Sequence, residues 1–156
     1  MIPYNHFEYC QMLLNSFSNL NFHSTLLKAF GIEQLEQFRQ QLSSVEDLCL
    51  VAIDAAEQNF TRRDSDTIAC RNTFSIVILA PASVTDTEQI FSAVSRTNTI
   101  ANMVVKRIFW DSVQPNSSLY SKQPSDVLIQ GVGPIGDNFF GTLISFKITT
   151  HFPYSL

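Results

Sequence analysis

The run from Val127 to Phe152 constrains the fold most, because its second half alternates strictly. Ile144, Phe146 and Ile148 fall on one side of an extended chain, and Ser145, Lys147, Thr149 and His151 on the other. A helix would spread these residues around its circumference, whereas a strand with one buried face sorts them. Ahead of them lies Gly131-Val132-Gly133-Pro134-Ile135-Gly136-Asp137-Asn138, dense in residues that permit positive φ or fix a bend. The whole therefore reads as strand, turn, strand. Gly131, Gly133 and Gly136 also spell G-x-G-x-x-G, but that fingerprint holds a pyrophosphate only where a helix starts at the glycines. Pro134 removes a donor and a second strand follows, so a hairpin is expected and not a nucleotide site.

Taken in order, Tyr4 to Asn19 has helical periodicity, with Phe7, Cys10, Leu14 and Phe17 on one stripe. Phe22 to Phe30 fits either an extended connector or a short strand. Ile32, Leu35, Phe38 and Leu42 after Gly31 predict a second, shorter helix. Leu48 to Ile53 is a continuous apolar run of strand length, as a strand covered on both faces would be. Asp54 to Asn72 then turns polar. It is either a long loop, which tends to be functional or mobile, or a hairpin running outward past the core. Phe74 to Ala80 is the next strand, stopped by Pro81. Thr85 to Asp111 is the longest helix, with Thr85 or Asp86 as N-cap, Glu88 in its first turn, and Ile90, Val94, Thr97, Ala101, Val104 and Ile108 as its buried stripe. The order α–α–β–β–α–β–β predicts one α+β domain over 1–156. Its sheet is four-stranded and largely antiparallel, two hairpins joined by a long crossover helix, with two N-terminal helices packed on it.

Composition narrows function. With 156 residues, 45% of them apolar, one sizeable core is expected, and the formal charge of −4 argues against broad phosphate or nucleic-acid binding. Arg62-Arg63 with Arg71, and Lys106-Arg107, are the basic clusters, read as solvated surface. No run approaches the roughly 18 apolar residues of a membrane span, and the N-terminus lacks a signal-peptide pattern, so a cytosolic protein is expected. Cys10, Cys49 and Cys70 are odd in number and widely spaced, which suits buried apolar thiols better than disulfides or a metal site.

No reaction is named by these residues. His6, His23 and His151 are scattered, with no metal-ligand or Cys–His spacing recognised among them. Asp64 and Asp66 share a loop without the spacing of a calcium site. There is no G-x-S-x-G elbow and no Walker sequence. The expectation is no enzyme, no cofactor and no metal. One apolar feature stands out: if Phe74, Ile76 and Ile78 face the long helix, then Val77, Leu79, Leu143 and Leu128 face away. Either the first two helices cover that row or another subunit does.

Two stretches carry a resemblance. One is Phe74-Ser75-Ile76-Val77-Ile78-Leu79, leading through Asp86 into a helix that ends Lys106-Arg107-Ile108-Phe109-Trp110-Asp111. The other is Gly133-x-x-Gly136 with Phe140-Gly141 leading to Ile144-Ser145-Phe146-Lys147-Ile148. With the element order, they resemble bacteriophage tail-terminator and head–tail joining proteins, of phages or prophages of Bacteroides-type bacteria. The resemblance implies a non-enzymatic structural subunit that forms a homo-oligomeric ring, often a hexamer. It would cap the tail tube or join tail to neck, sitting in the bacterial cytoplasm during assembly and then in the virion. Its partners would be itself and tail-tube or neck proteins, with no nucleic acid and no membrane. Contact residues are then expected on the arm at Arg62, Arg63 and Asp64, in the closing turn at Gly133, Asp137 and Asn138, and on the apolar row at Val77, Leu79 and Leu143. Two rival readings are a small-molecule- or peptide-binding α+β module with a pocket between sheet and long helix, and a hydrolase using Asp64 and Asp66 or a cysteine.

Overall fold

Two long strands carry the rest. The computed structural model describes residues 4–29 and 39–153. Within them, α1 is His6–Ser16, β1 Leu27–Ala29, α2 Arg39–Leu42, β2 Cys49–Arg62, β3 Thr67–Pro81, α3 Thr87–Asp111, β4 Ser125–Ile135 and β5 Phe139–Pro153. β3 and β5 pair antiparallel over fifteen residues, from Thr67↔Pro153 to Pro81↔Phe139. Around that ladder the sheet order is β1-β2-β3-β5-β4. The α+β class is as expected and the sheet mostly antiparallel. Among the described residues it has five strands where four were expected, because Leu27–Ala29 pairs parallel to Val51–Ile53 of β2. The expected second helix begins outside the described residues, and its described part is the single turn Arg39–Leu42.

The pleat divides the core into two. One face of the sheet presents Leu50, Ala52, Ile76, Ile78, Ile144, Phe146 and Ile148, and both long helices lie on it. α1 contributes Tyr9, Cys10, Leu13 and Leu14, and α3 contributes Ile100, Ala101, Val104 and Ile108. α1 begins where the Asn5 side chain accepts the Glu8 N–H. α3 begins where Asp86 accepts the N–H groups of Glu88 and Gln89, an N-cap that satisfies donors the helix leaves open. The alternation at Ile144, Phe146 and Ile148 is thus the imprint of α3 on β5.

The other face presents Cys49, Val51, Ile53, Val77, Leu79 and Leu143. Leu27 and Ala29 of β1, Leu42 and Val45 of the α2 segment, and Ile135 with Phe139 of the closing hairpin pack there. This corrects the expected contact row. Val77 and Leu79 are 0% exposed and Leu143 is 2%, covered by the chain itself. The first helix plays no part in that cover, since α1 lies beside α3 on the opposite face. Leu128, on edge strand β4, remains 54% exposed.

The polar stretch after Asp54 is a hairpin and not a loop. β2 and β3 stay in register from Glu57↔Thr73 to Arg62↔Ile68, after an irregularity between Ile53 and Glu57. Among the described residues, no helix packs on its distal part, which suits that polar composition. The closing turn is also shorter than its glycines suggest. β4 continues through Ile135, and the residues between the strands are Gly136, Asp137 and Asn138. Gly133 sits inside β4 at φ 138°, where an added Cβ would lie 2.5 Å from the Phe140 ring. After this turn the chain enters β5, so the G-x-G-x-x-G residues meet no helix N-terminus.

Candidate functional site

The feature with most to offer a partner is the arm made by the distal parts of β2, β3 and β5. Most of its side chains are exposed or half-buried, while Cys70 within it is buried. On the helix-bearing side, Ile68 is opposite Phe152, while Phe60 pairs with Cys70 one step along. Phe60 is 63% exposed and Phe152 48%. Apolar side chains in a row across three strands differ from scattered surface hydrophobes, because they can be buried together by one partner. At the base of this row a hollow of about 420 Å³ is lined by Tyr4, Phe74, Ile148, Phe152, Lys122 and Ser121. The pocket that a ligand-binding module would need was expected under the long helix. The hollow instead lies between the arm and the connector after α3.

At the arm tip, Asp64 is exposed and bonded back to its own turn. Its Oδ1 accepts the N–H of Asp66 at 2.8 Å, the N–H of Thr67 at 2.9 Å and the Thr67 hydroxyl at 2.9 Å. Those bonds hold its carboxyl below the usual carboxylate range, the Asp66 N–H contributing most. Asp64 is therefore a turn-former, the ordinary role of a short acidic side chain at a tight bend. Arg63 donates from Nη1 to His151 Nε2 at 2.7 Å, joining the tip of β2 to the end of β5. On the reverse side of the arm, Asp126 lies 3.7 Å from Arg71 and 3.6 Å from Lys147.

The closing turn stands at the far end of the same ladder. Asn138 accepts the Ala82 N–H through its carbonyl at 2.7 Å, closing the turn against the end of β3. Fifteen paired residues separate it from the tip, roughly 45 Å at about 3.3 Å per residue. The expected contact residues therefore form no single site. Arg62, Arg63 and Asp64 sit at one end, Gly133, Asp137 and Asn138 near the other, and Val77, Leu79 and Leu143 are buried between them.

Two buried polar clusters were not read from the sequence. In the first, His6 is 3% exposed and its Nε2–H donates to the Ser75 carbonyl at 2.8 Å, which leaves Nδ1 to accept the Tyr4 hydroxyl at 2.8 Å. Cys10 Sγ lies 3.7 Å from Nε2. Histidine and cysteine four residues apart share a helix face, so this pair was visible in the spacing. Its electrostatics oppose nucleophilic chemistry. Burial pushes the His6 pKa down to about 4 and pushes the Cys10 thiol up, so both groups are neutral and no thiolate–imidazolium pair forms. Burial likewise raises Cys49 to about 12. All three cysteines are buried free thiols.

The second cluster ties the helices together. Tyr9 donates its hydroxyl to Asp111 Oδ2 at 2.7 Å, and Arg107 Nε donates to the same carboxylate at 3.0 Å. Asp111 is buried, and a hollow of about 340 Å³ opens beside it between Glu8, Met12, Arg107 and Asn116. Among the described residues, no group of three or more histidine, cysteine or acidic side chains is placed to hold a metal ion. No helix among them is long and apolar enough to cross a membrane.

No family model matches the sequence, and no curated protein matches it.

Proposed function

We propose that this chain is a structural subunit that works by contact with copies of itself and with a tail tube or neck, capping the tube or joining tail to neck. The observation that carries this reading is the arm: three strands running past both helices, with exposed Phe60 and Phe152 and half-buried Ile68 in a row on one side. Among the described residues, Phe60 and Phe152 each leave about half or more of their surface open to a partner. A second contact region, the closing turn, stands at the opposite end of the β3–β5 ladder, so the two ends of one subunit can meet different neighbours. That arrangement suits heterologous contacts, in which unlike patches join and a ring closes when the rotation allows. The phage setting comes from the sequence resemblance, and the arm adds a physical means of attachment. Negative-stain microscopy of tails carrying the tagged protein tests it: the label is expected at one end of the tube, and label along the tube or absent from it contradicts the reading.

A second reading has its own observation. The hollow of about 420 Å³ beside Tyr4, Phe74 and Phe152 is of a size that holds a small apolar ligand. Under that reading apolar or nucleotide ligands raise the melting temperature, and the Phe152→Ser variant loses the response.

A further inference from the structure

Lys122 stands out among the cations of this chain. It lies in the connector after α3, is 4% exposed, and lines the hollow of about 420 Å³ with Tyr4, Phe74, Ile148 and Phe152. A buried ammonium is costly unless a carboxylate or other acceptors meet it. Among the described residues Lys122 forms no ion pair: Asp126 takes Arg71 and Lys147, Asp47 takes Arg96, and Asp111 takes Arg107. Its side chain makes no hydrogen bond to the described residues either. Its Nζ is not fully enclosed, because the enclosed and unbonded side-chain polar atom among the described residues is Thr73 Oγ1. The space that Lys122 borders is the hollow. The backbone holds the residue there. The Lys122 N–H donates to the Leu119 carbonyl at 3.0 Å, and the Ser121 N–H to the Ser112 carbonyl at 3.1 Å. Ser121 and Gln123, on either side, take φ of 57° and 51°, a conformation that residues other than glycine seldom adopt.

The rest of the lining sorts by chemistry. Tyr4, Phe74, Ile148 and Phe152 form an apolar wall. Asn72 also lines the hollow, and its Oδ1 accepts from Gln58 Nε2 at 2.7 Å, which leaves its Nδ2 hydrogens to donate. Among the described residues, no aspartate, glutamate or arginine lines this space. Donors without a carboxylate, set in an apolar hollow, are complementary to an anionic head on an apolar body. A single lysine, without an arginine fork or a helix N-terminus beside it, suits one carboxylate better than a phosphate. We propose that the hollow binds a small organic acid, its carboxylate on Lys122 and its apolar body against Tyr4, Phe74 and Phe152. The assignment rests on the reading of this hollow as a ligand site and adds the class of ligand.

Calorimetric titration of the full chain at pH 7 with octanoate, octan-1-ol and octylammonium tests the proposal, since the three share one tail and differ in the head. Octanoate is expected to bind about tenfold or more tighter than octan-1-ol, and octylammonium more weakly than either. Lys122→Met keeps the apolar stem and removes the ammonium, so the ratio between octanoate and octan-1-ol should fall to about one. Equal affinities for octanoate and octan-1-ol in the wild type overturn the carboxylate assignment and leave the apolar-ligand reading standing. Binding of none of the three overturns both. An octanoate preference that survives Lys122→Met, in a variant that melts as the wild type does, also overturns the assignment. The wild-type series needs no variant, so it decides the matter even where Lys122→Met fails to fold.

Discussion

His6 shows how much a single buried ring does here. It accepts from Tyr4 and donates to the Ser75 carbonyl, 69 positions along the chain, so it fixes the entry of α1 onto β3. Its pKa of about 4 lies below the ordinary 6.5 because burial penalises the imidazolium. As pH falls, the unfolded chain takes up this proton first. The stability contributed is therefore complete above about pH 6.5 and is lost as pH falls toward 4, by about 3 kcal/mol in all at about 1.4 kcal/mol per unit. Urea unfolding at pH 7 and pH 4.5 is expected to show wild type losing about 2 kcal/mol more than His6→Gln between the two conditions. Equal losses would mean that His6 is not held neutral. Gly141 is the second residue on which the fold turns. An added Cβ would stand 1.8 Å from the Ile78 carbonyl oxygen, inside the β3–β5 ladder. Gly141→Ala is expected to cost more than about 3 kcal/mol, since backbone must move to admit it. A melting temperature within a few degrees of wild type would contradict that.

At the scale of elements, the contact between α1 and α3 is fixed by Tyr9, Arg107 and Asp111 around one buried carboxylate. Tyr9→Phe leaves Asp111 with Arg107 alone and should cost about 1–2 kcal/mol in chemical unfolding; no change would show that the hydroxyl bond is idle. The sequence made some of these elements legible and hid others for physical reasons. β5 could be read because α3 buries alternate residues, and α3 because its cap at Asp86 and its stripe through Val104 and Ile108 agree. β1 has three residues and exists through parallel pairing to β2, a long-range bond that leaves no local pattern. The outward hairpin shares its polar composition with a loop, so the sequence left both readings open. Asp64 was placed at the tip, and the structure adds a turn-closing task to the contact role expected of it. Exposure alone suggested a contact residue, and only the bonds to Asp66 and Thr67 show it closing the turn.

For the whole molecule, the apolar row at Val77, Leu79 and Leu143 shows what a strand pattern cannot decide. Alternation tells which residues share a face, but the cover over that face comes from Leu27, Leu42, Val45 and Phe139, distant in sequence. With that face closed, the open surface moves outward to the arm, and the account of function moves with it. Its central claim is that the arm row is for contact and not for folding. The most direct measurement compares wild type with the Phe60→Ser/Phe152→Ser double variant, first by melting temperature and then by electron microscopy of tail tubes incubated with each protein. Melting temperatures within about 3 °C are predicted, with wild type seated at one tube end and the variant leaving tubes bare. A variant that seats as well as wild type, or one that unfolds, would contradict the claim.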